Sequence, residues 1–372
     1  MKLVDTIARV PVIVTSGTGG VGKTSISVAI AIELAQERSA RVLVLTIDPA
    51  KRLAKVLSED ELHHDPILVD HSKFIEGSKQ GELYAAMVDT ELGWKEIVER
   101  YAKSGKDASR IFENNLYANL TKRFSHSHDF VAMDQLYKHY RSGNYDYIIL
   151  DTPPTSKAFG FFDAPQAMSD FFGGKLVRLV TSPYRVGKGR AVKIFDVASQ
   201  PFFALADKVL GKEFLNDIGE FFFLFHTMYD DFAARSKQIS EFLCSKKTHS
   251  VLVVNTLQFI TNQDLEVQEG LEDRNIEVDA LIVNGVAIDK KDLANVKDFL
   301  STQTHQGAFS EYLEGDLALS ADLYSELDAR LLKRNADMSY ALIKRISSDK
   351  EGELLSELTK SIQTQVISGD TI

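Results

Sequence analysis

The ten residues SGTGGVGKTS, from Ser16 to Ser25, place several glycines next to a lysine and a hydroxyl side chain. They contain the pattern G-x-x-x-x-G-K-[ST], which is typical of loops that bind nucleoside triphosphates. Glycines let successive backbone N–H groups turn inward around phosphates, while the lysine neutralises the terminal phosphates and the hydroxyl binds Mg²⁺. We therefore expect the nucleotide to contact Gly17, Thr18, Gly19, Gly20, Val21, Gly22, Lys23, Thr24 and Ser25.

Two aspartates at the ends of apolar stretches extend this chemistry. Asp48 ends RVLVLTID, and Asp151 ends YDYIILD. In parallel-sheet nucleotide enzymes a carboxylate at such a strand end lies near Mg²⁺, usually through water. We assign this metal role to Thr24 and Asp151, and catalytic roles to Lys23 and to Asp48, which would orient the attacking water. Taken singly, each aspartate is also a common turn former.

Apolar stretches that alternate with helical patterns must position these residues. KTSISVAIAIELAQE follows the glycine loop with helical spacing. The predicted strands are residues 12–16, 41–48, 145–154, 250–256 and 280–286. Such an alternation predicts an α/β fold with a mostly parallel sheet covered by helices on both faces.

The residue composition and the apolar pattern divide the chain into four parts. Of its 22 phenylalanines, 15 lie between Phe159 and Phe242, which marks an inserted helical subdomain. Within it, Phe221, Phe225, Met228 and Phe232 form one helical stripe. The expected parts are a first nucleotide-binding segment 1–156 with a mainly helical stretch at about 57–142, the insertion 157–247, a second nucleotide-binding segment 248–348 and a charged tail 349–372.

Composition narrows the function classes. The net charge of −10 disfavours a generic nucleic-acid binder, so no nucleic acid is expected as a partner. Cys244 is the single cysteine, which excludes an intrachain disulfide and a cysteine-based zinc site within one chain. No apolar run reaches membrane-spanning length, and the start lacks a signal-peptide pattern, so a cytoplasmic location is expected.

The motifs GTGGVGKTSIS, TIDPAKRLA, ILDTPPT and LIVNG together resemble the ArsA-type ATPases of the deviant P-loop (SIMIBI) class. That family includes the arsenical pump-driving ATPase and the ATPase that targets tail-anchored membrane proteins. The resemblance implies a dimeric ATPase that uses ATP and Mg²⁺. It assigns switch roles to Asp48 and Asp151, and an adenine contact to Asn284.

Departures from the family pattern concern metals and the dimer. The thiolate site for arsenite and the paired C-x-x-C that binds zinc at the dimer interface are both missing, so no zinc is expected. Where the family has a lysine that reaches the partner's nucleotide, this chain has Thr18. DAPQ, residues 163–166, is similar to a bacterial branch of paired, non-identical subunits. We therefore expect a heterodimer with a lysine-bearing paralogue, or a homodimer in which Lys51 or Arg52 supplies the cation.

Several functions stay open at this point. The first is an ATP-driven dimer switch that handles a hydrophobic protein client or a membrane-associated partner, at the membrane periphery. The family places client-binding helices at the aromatic insertion, so its phenylalanines form either an apolar groove or a packed core. The alternatives are a positioning ATPase of the MinD or ParA sort, a regulatory subunit that holds nucleotide without hydrolysis, and an arsenite or anion pump-driving ATPase, which the missing cysteines disfavour.

Overall fold

The computed structural model describes residues 3–48, 51–75, 77–114, 116–117, 125–153, 158–173, 212–302, 308–333, 338–346 and 351–362. The chain forms two compact units. The first unit comprises Met1–Val88, Leu136–Phe159 and Leu243–Ile372, and the second comprises Asp89–Gln135 and Gly160–Phe242. None of the described helices is long and apolar enough to cross a membrane.

An eight-stranded sheet organises the first unit, in the order β3-β4-β2-β5-β1-β6-β7-β8. All neighbouring strands are parallel except β3, which pairs antiparallel with β4 at one edge. The strands are β1 Val12–Ser16, β2 Arg41–Thr46, β3 Ile67–Val69, β4 Glu82–Met87, β5 Tyr147–Asp151, β6 Thr248–Asn255, β7 Val278–Val286 and β8 Ser339–Lys344.

Helices of the described residues connect and cover these strands. In chain order they are α1 Leu3–Ile7, α2 Lys23–Arg38, α3 Arg52–Leu57, α4 Thr90–Tyr101, α5 Gly105–Glu113, α6 Ser125–Ser142, α7 Ala158–Gly173, α8 Lys212–Leu243, α9 Thr256–Ile260, α10 Gln263–Glu272, α11 Leu293–Thr302, α12 Ala308–Lys333 and α13 Glu351–Ile362. Short 3₁₀ turns lie at His71–Phe74 and Lys290–Asp292.

The central strands are buried on both faces. All five residues of β1 are buried, as are the last five of β2, so side chains of both orientations are covered. One face packs against α1, α2, α3 and α13 in a single apolar cluster. The five predicted strands are confirmed as β1, β2, β5, β6 and β7, and the predicted α/β fold class is confirmed with them.

The stretch 57–142, which we expected to be mainly helical, contains two strands besides its helices α4, α5 and α6. Its first part contains β3 and β4, and β4 pairs in parallel with β2. The sequence ELYAAM of β4 buries Leu83, Ala85 and Ala86, but glutamate and alanine are residue types that are depleted in strands. Sheet pairing therefore determines this strand more than local pattern does. β8 was also missed.

Residues 351–362 of the expected charged tail form the packed helix α13. Leu355, Leu358 and Ile362 lie on one face at helical spacing, are buried, and belong to the same apolar cluster as α2. The described charges of this helix, Glu353, Glu357 and Lys360, are exposed.

The second unit is helical and has an aromatic core. Its helices come from the expected insertion and also from residues 89–135, which the sequence assigned to the nucleotide-binding part. Trp94 of α4 is fully buried, with ring centroids 5.8–6.3 Å from those of Phe130, Phe172, Phe225 and Phe232.

The predicted stripe of α8 forms part of this core. Phe221, Phe225, Met228 and Phe232 are each at most 2% exposed. Of the two interpretations left open for the insertion, core packing therefore describes these four side chains. The phenylalanines between residues 174 and 211 lie outside the described residues.

One carboxylate is buried inside the second unit. Asp134 of α6 is fully buried and pairs with two arginines: Arg100 Nη1 lies 3.1 Å from its Oδ2, and Arg235 Nε lies 2.6 Å from its Oδ1. Both carboxylate oxygens therefore have charged partners, and the ion pairs join α4, α6 and α8.

Candidate nucleotide site

The glycine loop lies at the carboxyl edge of the sheet, between β1 and α2. β1 is flanked by β5 and β6, so its end is surrounded by the ends of two other strands. Gly17 has a φ of 147°, and a Cβ there would lie 2.1 Å from the carbonyl oxygen of Val253 in β6. Gly22, with a φ of 88°, is the residue before α2. Larger residues would strain the loop at both positions, as expected for close backbone packing around a ligand.

Lys23 begins α2 and folds back across the loop. Its Nζ donates to the carbonyl oxygen of Thr18 at 2.9 Å, and the residue is 7% exposed. Burial lowers the pKa of Lys23, although the charge of Asp151 acts in the opposite direction. An ammonium that is desolvated and aimed over the loop is ready to interact strongly with phosphate oxygens.

Asp151, the last residue of β5, joins the loop to the neighbouring strand β2. Its Oδ2 accepts hydrogen bonds from Thr24 Oγ1 at 2.8 Å and from Thr46 Oγ1 at 3.2 Å. Burial raises the pKa of Asp151 to about 6, against the opposing effect of the Thr24 hydrogen bond. The two residues that we assign to the metal, Thr24 and Asp151, therefore contact each other directly.

The second oxygen of this carboxylate bears on the question of Mg²⁺. Asp151 Oδ1 is buried and has no hydrogen-bond partner among the described residues. A carboxylate oxygen beside a threonine hydroxyl is the oxygen-only chemistry that Mg²⁺ prefers, and Mg²⁺ keeps several waters that could satisfy such an atom. The residues present therefore fit a magnesium ion held by Thr24 and, through water, by Asp151.

Asp48 follows the end of β2 by two residues and lies close to the same cluster. Its backbone N–H donates to Thr46 Oγ1 at 3.3 Å, so one threonine hydroxyl links Asp48 and Asp151. Its side chain is 14% exposed, and Arg52 Nε lies 3.3 Å from its Oδ2. Sequence reasoning named both aspartates but missed Thr46, whose only signal is a hydroxyl residue two positions before Asp48.

Thr18, the residue that departs from the family pattern, is anchored within its own chain. Gln258 Nε2 donates to Thr18 Oγ1 at 2.5 Å. Gln258 also forms a capping box with Asn255 at the start of α9, directly after β6. Sequence reasoning missed Gln258, for which the spacing N-x-x-Q was the available signal.

The other predicted loop residues lie around this centre. Gly19 and Gly20 are exposed, whereas Val21 is buried and Ser25 is half-buried. Asn284 of β7 reaches the loop from the far side, where its Nδ2 donates to the carbonyl oxygen of Val21 at 2.9 Å. Its contact with an adenine base stays a prediction.

The chain is similar to known proteins over most of its length. The chain matches the profile of the anion-transporting ATPase family, ArsA ATPase, over residues 10–316. It is 26% identical to putative arsenical pump-driving ATPase 1 of Aquifex aeolicus (strain VF5) over 288 residues, which are 74% of this chain and 63% of the relative.

Two further relatives share shorter regions. Putative arsenical pump-driving ATPase 2 of Aquifex aeolicus (strain VF5) is 29% identical over 46% of this chain and 54% of its own length. ATPase GET3 of Rhodotorula glutinis is 28% identical over 43% of this chain and 42% of its own length. In each of these comparisons the chain spans less than two thirds of the relative.

Proposed function

The chain belongs to the anion-transporting (ArsA-type) ATPase family, and we propose that it is a Mg²⁺-dependent enzyme that hydrolyses ATP to ADP and phosphate. The observation that carries the proposal is the convergence of Lys23, Thr24 and Asp151 at one strand edge, with Asp48 joined to them through Thr46. An isolated glycine turn would not require a buried lysine or an unsatisfied buried carboxylate oxygen.

Each residue of the cluster has a definable task with ATP bound. The loop N–H groups and Lys23 hold the β- and γ-phosphates, and Thr24 and Asp151 hold the metal site. When bound there, Mg²⁺ neutralises charge on the β- and γ-oxygens. Asp48 orients a water for in-line attack on the γ-phosphorus and accepts its proton.

Asp48→Asn tests the proposed chemistry. An amide still accepts a hydrogen bond but cannot take a proton, so we expect the hydrolysis rate to fall by roughly 10²–10⁴-fold. ADP affinity, measured by calorimetry, should stay close to that of wild type, because Asp48 is not part of the loop. Lys23→Met serves as the contrast, since it should weaken binding itself. Unchanged hydrolysis by Asp48→Asn would exclude the assigned role.

We further propose that the chain works as one half of a dimer, with a lysine-bearing paralogue as the first choice of partner. Thr18 supports this choice, because it cannot supply a cation to a partner site and is hydrogen-bonded within its own chain. Two numbered relatives in one organism, Aquifex aeolicus, also favour paired proteins. Purified chain should then hydrolyse ATP slowly and be accelerated by the paralogue. Fast turnover by the chain alone would argue against a required partner.

For the client we propose a hydrophobic segment of a membrane-associated protein. The four stripe residues of α8 are buried, so the contacts of the client must involve other side chains. Among the residues whose burial the structure describes in 161–173 and 217–242, the half-buried phenylalanines are Phe162, Phe171, Phe222 and Phe223. Polar substitution of Phe222 or Phe223 should reduce crosslinking to an apolar helical peptide, with Glu241→Gln as the surface control. An unchanged crosslinking yield would exclude these side chains as client contacts.

The names of the relatives favour a second candidate, an anion pump-driving ATPase. In this chain Cys244 is the single cysteine, so a cluster of thiolates for arsenite cannot form within it. Stimulation of hydrolysis by arsenite, compared with stimulation by the apolar peptide, separates the two candidates.

A further inference from the structure

Arg52 lies beside the aspartate that we assign to water activation. It is the first residue of α3, four positions after Asp48, and its Nε lies 3.3 Å from Asp48 Oδ2. The Arg52 side chain is 55% exposed, whereas the Asp48 side chain is 14% exposed. The guanidinium therefore contacts the carboxylate from the solvent side of the cluster.

The preceding residue, Lys51, is a cation with a different environment. Lys51 Nζ lies 3.8 Å from Glu61 Oε1, and its side chain is 63% exposed. Lys51 and Arg52 thus pair with different carboxylates, and of these two ion pairs only that of Arg52 involves Asp48. Lys55, an exposed cation in the last turn of the same helix α3, serves as the control for Arg52.

The charge of Arg52 also reaches the lysine of the phosphate loop. Burial is the main cause that lowers the pKa of Lys23, and the nearby positive charge of Arg52 lowers it further. Arg52, Asp48 and Lys23 therefore belong to one electrostatic cluster. A guanidinium matches phosphate oxygens with paired N–H donors, and in the contact with Asp48 it uses Nε.

We propose that Arg52 is a catalytic residue that binds the γ-phosphate of ATP held by its own chain. The inference rests on the ATP hydrolysis proposed above. Without nucleotide, Arg52 pairs with Asp48. When ATP is bound, the guanidinium of Arg52 pairs instead with the more highly charged γ-phosphate, and Asp48 becomes available to the attacking water. The water oxygen then bonds to the γ-phosphorus, the bond to the β–γ bridging oxygen breaks, and the water proton passes through Asp48 to the phosphate product.

This role predicts a rate effect without an effect on ADP binding. In single-turnover assays on the full chain, Arg52→Ala should slow hydrolysis by roughly 10²–10³-fold, as for loss of one group that stabilises transition-state charge. Its ADP affinity should stay within about two-fold of wild type, whereas tight binding of ADP with aluminium fluoride should be lost. Arg52→Lys should recover part of the rate, and Lys55→Ala should behave as wild type.

Mixing two variants tests whether Arg52 acts within its own chain. Arg52→Ala and Asp48→Asn each damage one group of the site, so their mixture should stay inactive if both groups serve the same nucleotide. Recovery of hydrolysis on mixing would overturn the assignment and place Arg52 at a partner's site.

Two further results distinguish the role of Arg52 from the ATPase activity on which that role rests. If wild type hydrolyses ATP and Arg52→Ala and Arg52→Lys do so at the same rate, the role of Arg52 is overturned, while the proposed ATPase activity stands. Failure of wild type to bind a fluorescent ADP analogue overturns the proposed ATPase as well. Circular dichroism of each variant checks folding, and Arg52→Gln provides a second test if the alanine variant does not fold.

Discussion

Two buried aspartates show how the two units use burial differently. Asp134 in the second unit has a charged partner on each carboxylate oxygen. Asp151 in the first unit has two hydroxyl donors on Oδ2 and none among the described residues on Oδ1, and burial raises its pKa to about 6. Both side chains are at most 1% exposed.

The difference lies in whether the chain itself satisfies the buried charge. A fully paired carboxylate fixes the packing of three helices, and its removal takes a buried charged partner from two arginines. A carboxylate with one unsatisfied oxygen costs stability until a ligand completes it, which is typical of functional sites. Burial alone therefore does not identify a site, and at Asp151 the further signal is an unsatisfied carboxylate oxygen beside the phosphate loop.

The largest expected effect concerns Asp134→Ala. Removing one partner of a buried ion pair leaves uncompensated charge, so we expect the free energy of unfolding of the second unit to fall by about 3–5 kcal/mol. Trp94, the only tryptophan of the chain, is buried in this unit and reports its unfolding by fluorescence in denaturant.

Glu241→Ala is the control for this measurement. It breaks the exposed ion pair with Lys237 in the same unit, and the change should stay within about 0.5 kcal/mol. If Asp134→Ala were as mild as the control, the contrast between the two aspartates would lose its basis.

Asp151→Asn should have the opposite sign in protein free of metal and nucleotide. Since the folded-state pKa of Asp151 is raised, the folded carboxylate destabilises the fold above about pH 6, and this deficit disappears as the pH falls through the folded and unfolded pKa values. The variant should thus be more stable than wild type at pH 8, by about 3 kcal/mol at most, and by less at pH 5.

Denaturant titrations at the two pH values measure this difference. Added Mg²⁺ and ATP should stabilise wild type more than the variant, because the variant lacks the carboxylate that completes the metal site. A variant that is less stable than wild type at both pH values would show that Asp151 is a structural carboxylate like Asp134.

The smallest effect is expected for Thr18→Val, which removes the acceptor of the Gln258 hydrogen bond at nearly constant volume. Loss of one such bond is worth about 1 kcal/mol, so the free energy of unfolding should fall by about that amount. Gln258→Met should cost a similar amount, and the double variant should cost little more than either single one. Additive effects in calorimetry would show that the two side chains act separately.

Local sequence was sufficient where chemistry and periodicity coincide. The glycine loop, Lys23 and the strand-end position of Asp151 follow from motif and strand patterns that span few residues. β4 could not be inferred in the same way, because its six residues become a strand through pairing with β2. Gln258 escaped prediction for a related reason, since its partner Thr18 is 240 positions away in the chain.

Aromatic content proved a weaker guide. The phenylalanine stripe of α8 has the same pattern whether it lines a groove or fills a core, and only its neighbours distinguish the two. Trp94, which packs against that stripe, comes from a segment that the sequence assigned to the other part of the chain.

The late position of α13 in the chain affects the order in which the protein can form during synthesis. Residues of the second unit all leave the ribosome before β6, whereas the first unit needs β6, β7, β8 and finally α13. At roughly 5–20 residues per second, the apolar face of α2 that α13 covers stays open for roughly 15–60 seconds. A nascent chain therefore exposes the apolar face of α2, the helix that follows the phosphate loop, throughout this interval. The helical second unit can fold well before the first unit is completely synthesised.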